Sequence, residues 1–312
     1  MSEQTDRGGA EQSERVASPV PAGGIVAPAR GPLRLSADRR SLVDASGQPF
    51  FFLADTAWSI AWKGRADEWP RYLDYRAAQG FSVLQVNLLP WRWHFTDADG
   101  NPPFHDGDPD RPNDAYFARY ERFLELAAAR GLFTCLMLLW GGNRPDLPAA
   151  RFSTGQAVRF AEYAIRRFAR FPVLWSLSGD APYVEELDRW EAVGAAVEAA
   201  DPYGHPTTNH LHPHMNWRFL HHDSPWHDFH MLQTSHWRRS LPDLAALPLA
   251  YYARDPAKAV VNGEPWYEAH PSTDGREYGP LFDAGEVRHA FWSSILSGAT
   301  MGHTYGGQGI WN

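Results

Sequence analysis

Two carboxylates of the chain, Asp180 and Glu264, stand where apolar segments end. Asp180 closes the segment VLWSLSGD and Glu264 closes VVNGE, so each acid directly follows a glycine. Glycoside hydrolysis requires two such groups facing one bond, because one protonates the leaving oxygen while the other attacks or activates water. We expect their surroundings to push the two pKa values apart. The alternative is structural: either acid pairs with an arginine, and Asp180 before Ala181-Pro182 suits a helix N-cap.

Polar residues beside aromatic residues near other strand ends predict sugar contacts, because hydroxyls need hydrogen-bond partners and sugar rings stack on flat apolar faces. The alternatives are ordinary packing and, for Asp55, capping of the next turn. The candidate substrate-binding residues are Asp55, Trp58, Asn87, Trp91, Trp140, Asn143, His210, His212, Gln233, His236, Trp266, His303 and Tyr305.

The segment from residue 205 to 236 holds nine of the chain's 14 histidines. They are His205, His210, His212, His214, His221, His222, His227, His230 and His236. A metal-dependent hydrolase is the competing hypothesis for this segment. No HExxH or Cys/His ligand spacing accompanies these residues, so we predict no metal and no cofactor, and we expect the imidazoles to hydrogen-bond to substrate or to the carboxylates.

Composition narrows the class of ligand. The 29 Lys and Arg against 37 Asp and Glu give a net charge of −8, which argues against nucleic acid as a partner because a polyanion needs a basic face. The chain also carries 14 Trp, 12 Tyr and 17 Phe. No Walker loop, G-x-S-x-G elbow or dinucleotide-binding glycine motif opens a helix. We therefore expect a carbohydrate partner.

The elements that must position these residues alternate along the chain. After a hairpin-like pair between residues 33 and 53, eight short apolar strands follow, most of them separated by helices, two of which stop at Gly80 and Gly131. Apolar strands between helices predict a parallel sheet buried on both faces, and eight units predict a closed (β/α)₈ barrel. Asp180 and Glu264 then end strands four and seven, which face each other across one mouth. The chain stops just after strand eight, so the last helix is missing from this prediction.

The remaining features concern the ends of the chain and its location. Residues 1–31 are rich in Ser, Glu, Gly and Pro, which predicts a disordered tail before a single domain over 32–312. No apolar run resembles a signal peptide or a membrane span, so we expect a cytoplasmic protein, with non-standard export left open. The one cysteine, Cys135, lies inside an apolar run and is expected to pack in the core.

Four segments together resemble the apiosidase-like barrel family, glycoside hydrolase family 140 and its relatives: LADTAW at 53–58, WSLSGD at 175–180, GEP at 263–265 and GHTYG at 302–306. The resemblance runs from about Leu33 to the end of the chain. It implies a (β/α)₈ barrel and release of apiose from plant pectin side chains. It also implies that Asp180 is the acid/base and Glu264 the nucleophile of a retaining reaction, which predicts carboxyl groups about 5–5.5 Å apart.

The chain departs from that family at several points. Ser178 stands where relatives often carry glycine, and relatives usually continue into a β-sandwich. The sequence leaves the sugar, the linkage and the oligomeric state open. A non-catalytic sugar-binding barrel that keeps the aromatic cleft is the second hypothesis for the same residues.

Overall fold

The computed structural model describes residues 31–92, 94–141, 146–181, 186–274 and 279–311. Residues 1–30 of the predicted tail and the predicted contact Asn143 lie outside this range. Eight parallel strands close into a barrel in the order β10-β11-β4-β5-β6-β7-β8-β9, so the predicted (β/α)₈ fold is confirmed. The barrel strands are β4 (Phe52–Asp55), β5 (Val83–Asn87), β6 (Phe133–Trp140), β7 (Val173–Ala181), β8 (Thr207–Leu211), β9 (Phe229–Gln233), β10 (Ala259–Glu264) and β11 (Gly302–Tyr305).

A small antiparallel sheet precedes the barrel. Its three strands are β1 (Arg34–Leu35), β2 (Leu42–Val43) and β3 (Pro49–Phe50), paired in that order. The sequence predicted a hairpin whose second strand ran on to Leu53. The structure instead ends β3 at Phe50 and begins the first barrel strand at Phe52, so this run belongs to two different sheets.

Helices surround the barrel. They are α1 (Ile60–Lys63), α2 (Trp69–Ala78), α3 (Asp114–Ala128), α4 (Pro148–Arg151), α5 (Thr154–Phe168), α6 (Leu187–Ala200), α7 (Asp243–Tyr252) and α8 (Ala284–Leu296). Local sequence fixes several helix starts: Ser153 with Gln156 and Asp283 with Glu286 form capping boxes at α5 and α8. The connection after β8 has only a short 3₁₀ helix, Pro213–Arg218, and the described residues after β11 contain no helix.

Helix α7 was not predicted, and β7 is longer than predicted. Pro248 lies inside α7, and a proline within an apolar run is normally taken as a helix break. Strand β7 continues through Asp180 to Ala181, whereas the predicted strand ended at Leu177. The N-cap of the following helix α6 is Glu186, so the alternative in which Asp180 caps that helix does not hold.

Side chains alternate between the barrel interior and the helix layer, as strand geometry requires. Phe52 and Ala54 of β4 belong to the interior cluster with Cys135 and Met137 of β6. Burial raises the pKa of the Cys135 thiol, which agrees with its expected packing role. No helix in the described part of the chain is long and apolar enough to cross a membrane.

Candidate active site

Glu264 reaches the mouth through an irregularity in β10. The register with β9 shifts between Asn262 and Glu264, which is the signature of a bulge that re-aims a side chain. The bulge requires glycine at position 263, because any side chain there would place its Cβ only 2.3 Å from Cγ of Met231. Its carbonyl accepts a 2.7 Å hydrogen bond from Nε2 of Gln85 inside the barrel. The bulge therefore points a largely buried carboxylate into the mouth.

Asp180 reaches the mouth through a left-handed residue. Its φ is +52°, a conformation that Asp tolerates better than most residues but that still carries strain. The preceding Gly179 lies against Trp140, whose Cζ3 would be 2.3 Å from an added Cβ. The side chain of Asp180 is 26% exposed and that of Glu264 is 9% exposed. Asp180 is therefore the more open of the two acids.

One imidazole lies between the two carboxylates. Nε2 of His210 is 3.1 Å from Oε2 of Glu264, and its Nδ1 is 3.9 Å from Oδ1 of Asp180. The ring is fully buried beside Trp58 and Trp140, at centroid distances of 5.7 and 6.1 Å. Acids from β7 and β10, which are three strands apart in the barrel and not directly opposite, thereby approach a single buried ring.

A second imidazole contacts the same glutamate. Nε2 of His236 hydrogen-bonds to Oε1 of Glu264 at 3.0 Å. Burial acts to raise the pKa of Glu264, but the two histidines outweigh burial and hold this pKa far below its usual range. Burial also acts to lower the pKa of His210, and the neighbouring Glu264 and Asp180 reverse that shift, so its pKa is raised. Glu264 and His210 thus form a buried ion pair.

Asp180 is shifted in the opposite direction from Glu264. Burial, followed by the negative charge of Glu264, raises the pKa of Asp180 to about 7. The mouth therefore contains one ionised carboxylate and one carboxyl that holds its proton up to about neutral pH. Such a divergence in pKa is how a pair of acids divides the roles of proton donor and anion.

Aromatic side chains form the floor beside the acids. Nε1 of Trp58 donates a 3.0 Å hydrogen bond to the hydroxyl of Tyr267. The Tyr267 ring packs against His236 at 4.3 Å and against Gly306, where an added Cβ would lie 2.0 Å from the ring. Trp58 and Tyr267 are each 1% exposed, so their positions are set by packing from behind.

These residues enclose a cavity of about 300 Å³ at the carboxyl end of the barrel. Its lining residues are Trp58, Trp91, Trp140, Asp180, His212, Pro213, Gln233, Ser235, His236, Trp237, Glu264, Tyr267, His270, Thr273 and Trp311. Of the sequence candidates, the structure places Trp58, Trp91, Trp140, His212, Gln233 and His236 here with both acids, and His210 directly beneath.

Asp55, which was predicted to bind substrate, lies outside the cavity. Its carboxylate accepts hydrogen bonds of 2.6 Å from Nε of Arg76 and from the hydroxyl of Tyr72. Both partners belong to α2, so Asp55 faces the helix layer and is fully buried there. Burial raises the pKa of Asp55 against the opposing effect of Arg76. Asp55 therefore forms a structural ion pair with Arg76.

Two candidates on the last strand also face away from the cavity. The buried ring of His303 packs on Phe291 of α8 at 5.1 Å, and burial lowers its pKa to about 3. The hydroxyl of Tyr305 donates to Oε2 of Glu268 at 3.0 Å. Both were predicted to contact substrate, and both side chains pack outside the cavity.

Trp266 and Asn87 likewise do not line the cavity. Nε1 of Trp266 donates to the carbonyl oxygen of Trp237 at 3.1 Å, and its ring stacks on Phe282 at 4.9 Å. Asn87 is 1% exposed at the end of β5. Both were predicted to contact substrate, and the structure does not place either among the residues that line the cavity.

Several lining residues were not predicted from the sequence, among them Trp237, Tyr267, His270 and Trp311. Tyr267 directly follows the chosen Trp266, and the sequence offered no signal for which ring faces inward. A tryptophan after the glycine-rich run 306–309 was the available signal for Trp311. Among the described residues, no group of three or more His, Cys, Asp or Glu side chains is arranged to hold a metal ion.

Comparison with solved structures finds the same barrel in glycoside hydrolases. One structure, described as a glycoside hydrolase, is 26% identical, with a TM-score of 0.81 and coverage of 90% of this chain and 66% of the other. A family 5 glycoside hydrolase from Bacteroides vulgatus is 24% identical, with a TM-score of 0.78 and coverage of 90% and 63%. The chain thus spans less than two thirds of the length of these two proteins.

A more distant match has the same architecture. A family 5 mannosidase from Rhizomucor miehei is 13% identical, with a TM-score of 0.61 and coverage of 88% of this chain and 85% of the other. At this identity the likeness concerns the fold alone. No curated protein matches the chain significantly.

The family model for the apiosidase-like catalytic domain matches residues 36–312. This range contains the whole barrel, both mouth carboxylates and the wall of the cavity. The chain therefore belongs to the apiosidase-like family.

Proposed function

We propose that the protein is a glycoside hydrolase in which Asp180 is the general acid/base and Glu264 the nucleophile. The observation that carries this proposal is the pair of acids at the ends of β7 and β10, both within reach of His210, with their pKa values driven apart. A protonated acid beside an ionised one is the arrangement that cleavage of a glycosidic bond requires.

In the first step, Asp180 donates its proton to the glycosidic oxygen as the bond to the anomeric carbon breaks. Glu264 attacks that carbon, which gives a covalent glycosyl-enzyme. Asp180, now ionised, takes a proton from water, whose oxygen replaces Glu264 on the carbon. His210 and His236 hold Glu264 in its charged form before attack and as it leaves.

A retaining outcome is the stereochemistry we propose. Glu264 is the ionised member of the pair and lies at the edge of a small cavity, which suits it to direct attack on the anomeric carbon. Proton NMR of the first-formed product distinguishes the outcomes. Retention gives the substrate's anomer initially, whereas the opposite anomer appearing first refutes the nucleophilic role of Glu264.

The substrate we propose is a plant oligosaccharide or polysaccharide, with apiose as the first sugar to test. Membership of the apiosidase-like family supports this choice. The cavity agrees with a sugar ligand in general, because Trp58, Trp91 and Trp140 offer apolar faces beside polar groups such as Gln233.

The direct test is hydrolysis of pectic side-chain oligosaccharides with product analysis. We expect Glu264→Gln and Asp180→Asn each to lower kcat by about 10²- to 10⁴-fold. Glu268→Gln and Asp188→Asn are matched controls outside the cavity and should retain activity. If wild type and Glu264→Gln release products at the same rate, the proposed mechanism is wrong. Tight sugar binding without turnover would instead favour the non-catalytic alternative.

A further inference from the structure

The bulge in β10 determines which way Glu264 faces. In a regular strand alternate residues share a face, so Glu264 would lie on the side of Asn262, whose amide donates to Ser294 of α8. The register shift instead pairs Glu264 with Gln233, which lines the cavity. A one-residue shift exchanges the two faces of a strand, so the carboxylate depends on this bulge to reach the mouth.

The bulge also leaves one backbone carbonyl without a partner strand. Gly263 is the extra residue, and in the described pairings of β10 neither β9 nor β11 pairs with it. A buried carbonyl outside the ladder needs another donor. Nε2 of Gln85 meets this need with a 2.7 Å hydrogen bond to the Gly263 oxygen.

A threonine fixes the orientation of that amide. Oγ1 of Thr304 on β11 donates a 3.1 Å hydrogen bond to Oε1 of Gln85 on β5. A carbonyl only accepts, so the Gln85 nitrogen must face Gly263 and its oxygen is left for the Thr304 hydroxyl. Both side chains are 0% exposed, and β5 lies three strands from β10 in the barrel. The amide therefore crosses the interior and joins the bulge to a distant strand.

Packing holds the bulge against this amide. On the inner side, a Cβ at Gly263 would lie 2.3 Å from Cγ of Met231, so this β9 side chain fills the space beside the glycine. On the outer side, Nδ2 of Asn262 donates to Oγ1 of Thr234 at 3.0 Å and to Oγ of Ser294 at 2.9 Å. The backbone just before the acid is thus held on both faces of the sheet.

We propose that Gln85 is a positioning residue for the nucleophile, because its hydrogen bond to Gly263 fixes the bulge that directs Glu264 at the anomeric carbon. Gln85 does not line the cavity, so it acts through the backbone. Without the amide, the buried carbonyl would move toward another donor, and the carboxylate would move with it. A displacement of about 1 Å at a reacting group can lower the rate by about 10²-fold. Thr304 supports the same role by orienting the amide.

The description of Glu264 as a nucleophile rests on the proposed function, but its orientation beside His210 does not. Two readouts on the same variants therefore separate the two ideas. The central variant is Gln85→Met, which keeps the approximate length and volume of the side chain and removes the amide.

The first readout is the protonation of His210, which needs no substrate. Burial acts to lower the pKa of His210, and its hydrogen bond to Glu264 outweighs burial and raises it. NMR of protein with isotope-labelled histidine rings follows this titration, and the spectrum of His210→Gln assigns the signal. We expect Gln85→Met to lower the pKa of His210 by about one pH unit, because a displaced carboxylate stabilises the imidazolium less. An unchanged pKa of His210 in the folded variant overturns the proposal.

The second readout is steady-state kinetics. We expect Gln85→Met to lower kcat by about 10- to 100-fold while KM changes little, because the nucleophile moves and the wall of the cavity does not. A kcat equal to that of wild type overturns the proposal. A wild type that hydrolyses no glycoside refutes the proposed function and leaves the first readout to test the position of Glu264.

Thr304 provides a second pair of variants, which replaces Gln85→Met if that variant does not fold. Thr304→Val removes the hydroxyl and nearly keeps the shape, whereas Thr304→Ser keeps the hydroxyl. We expect Thr304→Val to lower both kcat and the pKa of His210, by less than Gln85→Met, and Thr304→Ser to keep both near the wild-type values. Equal values in the two Thr304 variants contradict the role of the amide.

The matched control is Ser82→Ala at the other end of β5. Oγ of Ser82 donates to the carbonyl oxygen of Phe51 at 2.6 Å and accepts from the backbone N–H of Leu53 at 2.9 Å. Its loss should lower Tm without changing kcat or the pKa of His210. A fall in kcat as large as that of Gln85→Met, at the same loss of Tm, would show a general loss of stability and refute positioning by Gln85.

Discussion

At the carboxyl ends of β8 and β9, His210 and His236 contact Glu264, whereas at the amino end of β9 three histidines contact one another. Nδ1 of His222 lies 3.0 Å from Nε2 of His230, and Nδ1 of His230 lies 3.0 Å from Nε2 of His227. We call His222, His230 and His227 the histidine row. All three are buried.

The charge of the neighbours decides what each imidazole does. The carboxylates at the mouth outweigh burial and raise the pKa of His210. In the histidine row burial dominates, and the other imidazoles and Lys258 add to it, so the pKa values of His227 and His230 fall well below the usual value. A neutral imidazole has one donor nitrogen and one acceptor nitrogen, so the middle ring, His230, can donate to one neighbour and accept from the other. The mouth thus uses histidine as a cation and the base of the barrel uses it as a neutral packing group.

The contrast is tested most strongly by replacing His210. We expect His210→Gln to lower kcat/KM by about 10- to 100-fold, because the variant removes the imidazole that pairs with the Glu264 carboxylate. His236→Gln, which removes the less buried imidazole, should act in the same direction. The measurement is steady-state kinetics on protein whose thermal unfolding matches wild type. Unchanged kcat/KM in both variants refutes the ion-pair role.

Breaking the histidine row should affect stability instead of activity. His230→Ala leaves buried nitrogens of His222 and His227 without their partner and removes a ring that packs on Tyr251 at 4.5 Å. We expect a loss of about 2 kcal/mol in the free energy of unfolding, or roughly 4–8 °C in Tm. Calorimetry gives Tm, and kcat of the folded variant should equal that of wild type. A loss of activity without a change in Tm contradicts the contrast.

The row also predicts how stability depends on pH. Burial lowers the folded-state pKa values of His222, His227 and His230 below their unfolded value of 6.5, so the folded protein binds fewer protons than the unfolded chain. Their stabilising contribution is complete above about pH 6.5 and is lost as the pH falls toward the folded values. Urea unfolding at pH 7.5, 6 and 5 should show decreasing stability. The slope should be smaller in His230→Ala, and an equal slope would argue against the row as its source.

The smallest expected effect concerns the basic limb of activity. Asp180 loses its proton above about pH 7, so kcat/KM should fall tenfold per pH unit beyond that point. The charge of His210 lowers the pKa of Asp180 slightly, and His210→Gln should move the limb upward by less than about one pH unit. A pH profile of kcat/KM measures the shift. A shift of the basic limb to lower pH would show that the charge of His210 does not lower the pKa of Asp180.

Strand periodicity and glycine placement were enough to predict the barrel and to place both acids at its mouth. Sequence could not distinguish Asp55 from Glu264, because both end an apolar strand. The difference lies in a bulge at Gly263 that turns Glu264 inward and in Arg76, 21 residues after Asp55, which reaches that acid from α2. Orientation at a strand end depends on such tertiary partners.

Tertiary partners also decide which aromatic residues face the cavity. Trp266 and Tyr267 are adjacent, and only their partners decide that Tyr267 faces the cavity while Trp266 stacks on Phe282. Helix α7 was missed for a different reason. Pro248 removes one backbone donor, but packing of Leu247 and Tyr251 against the barrel holds the helix together.

Gly179 and Gly306 do not line the cavity, yet each supports an aromatic ring of the cavity from behind. A single methyl group at either position would displace Trp140 or Tyr267, so the dimensions of the cavity are fixed by the backbone. The rings are then held in place by the fold, and we expect them to lose little conformational entropy when a ligand binds. A library that varies only the ligand-contacting positions would leave these two determinants of substrate size unexplored.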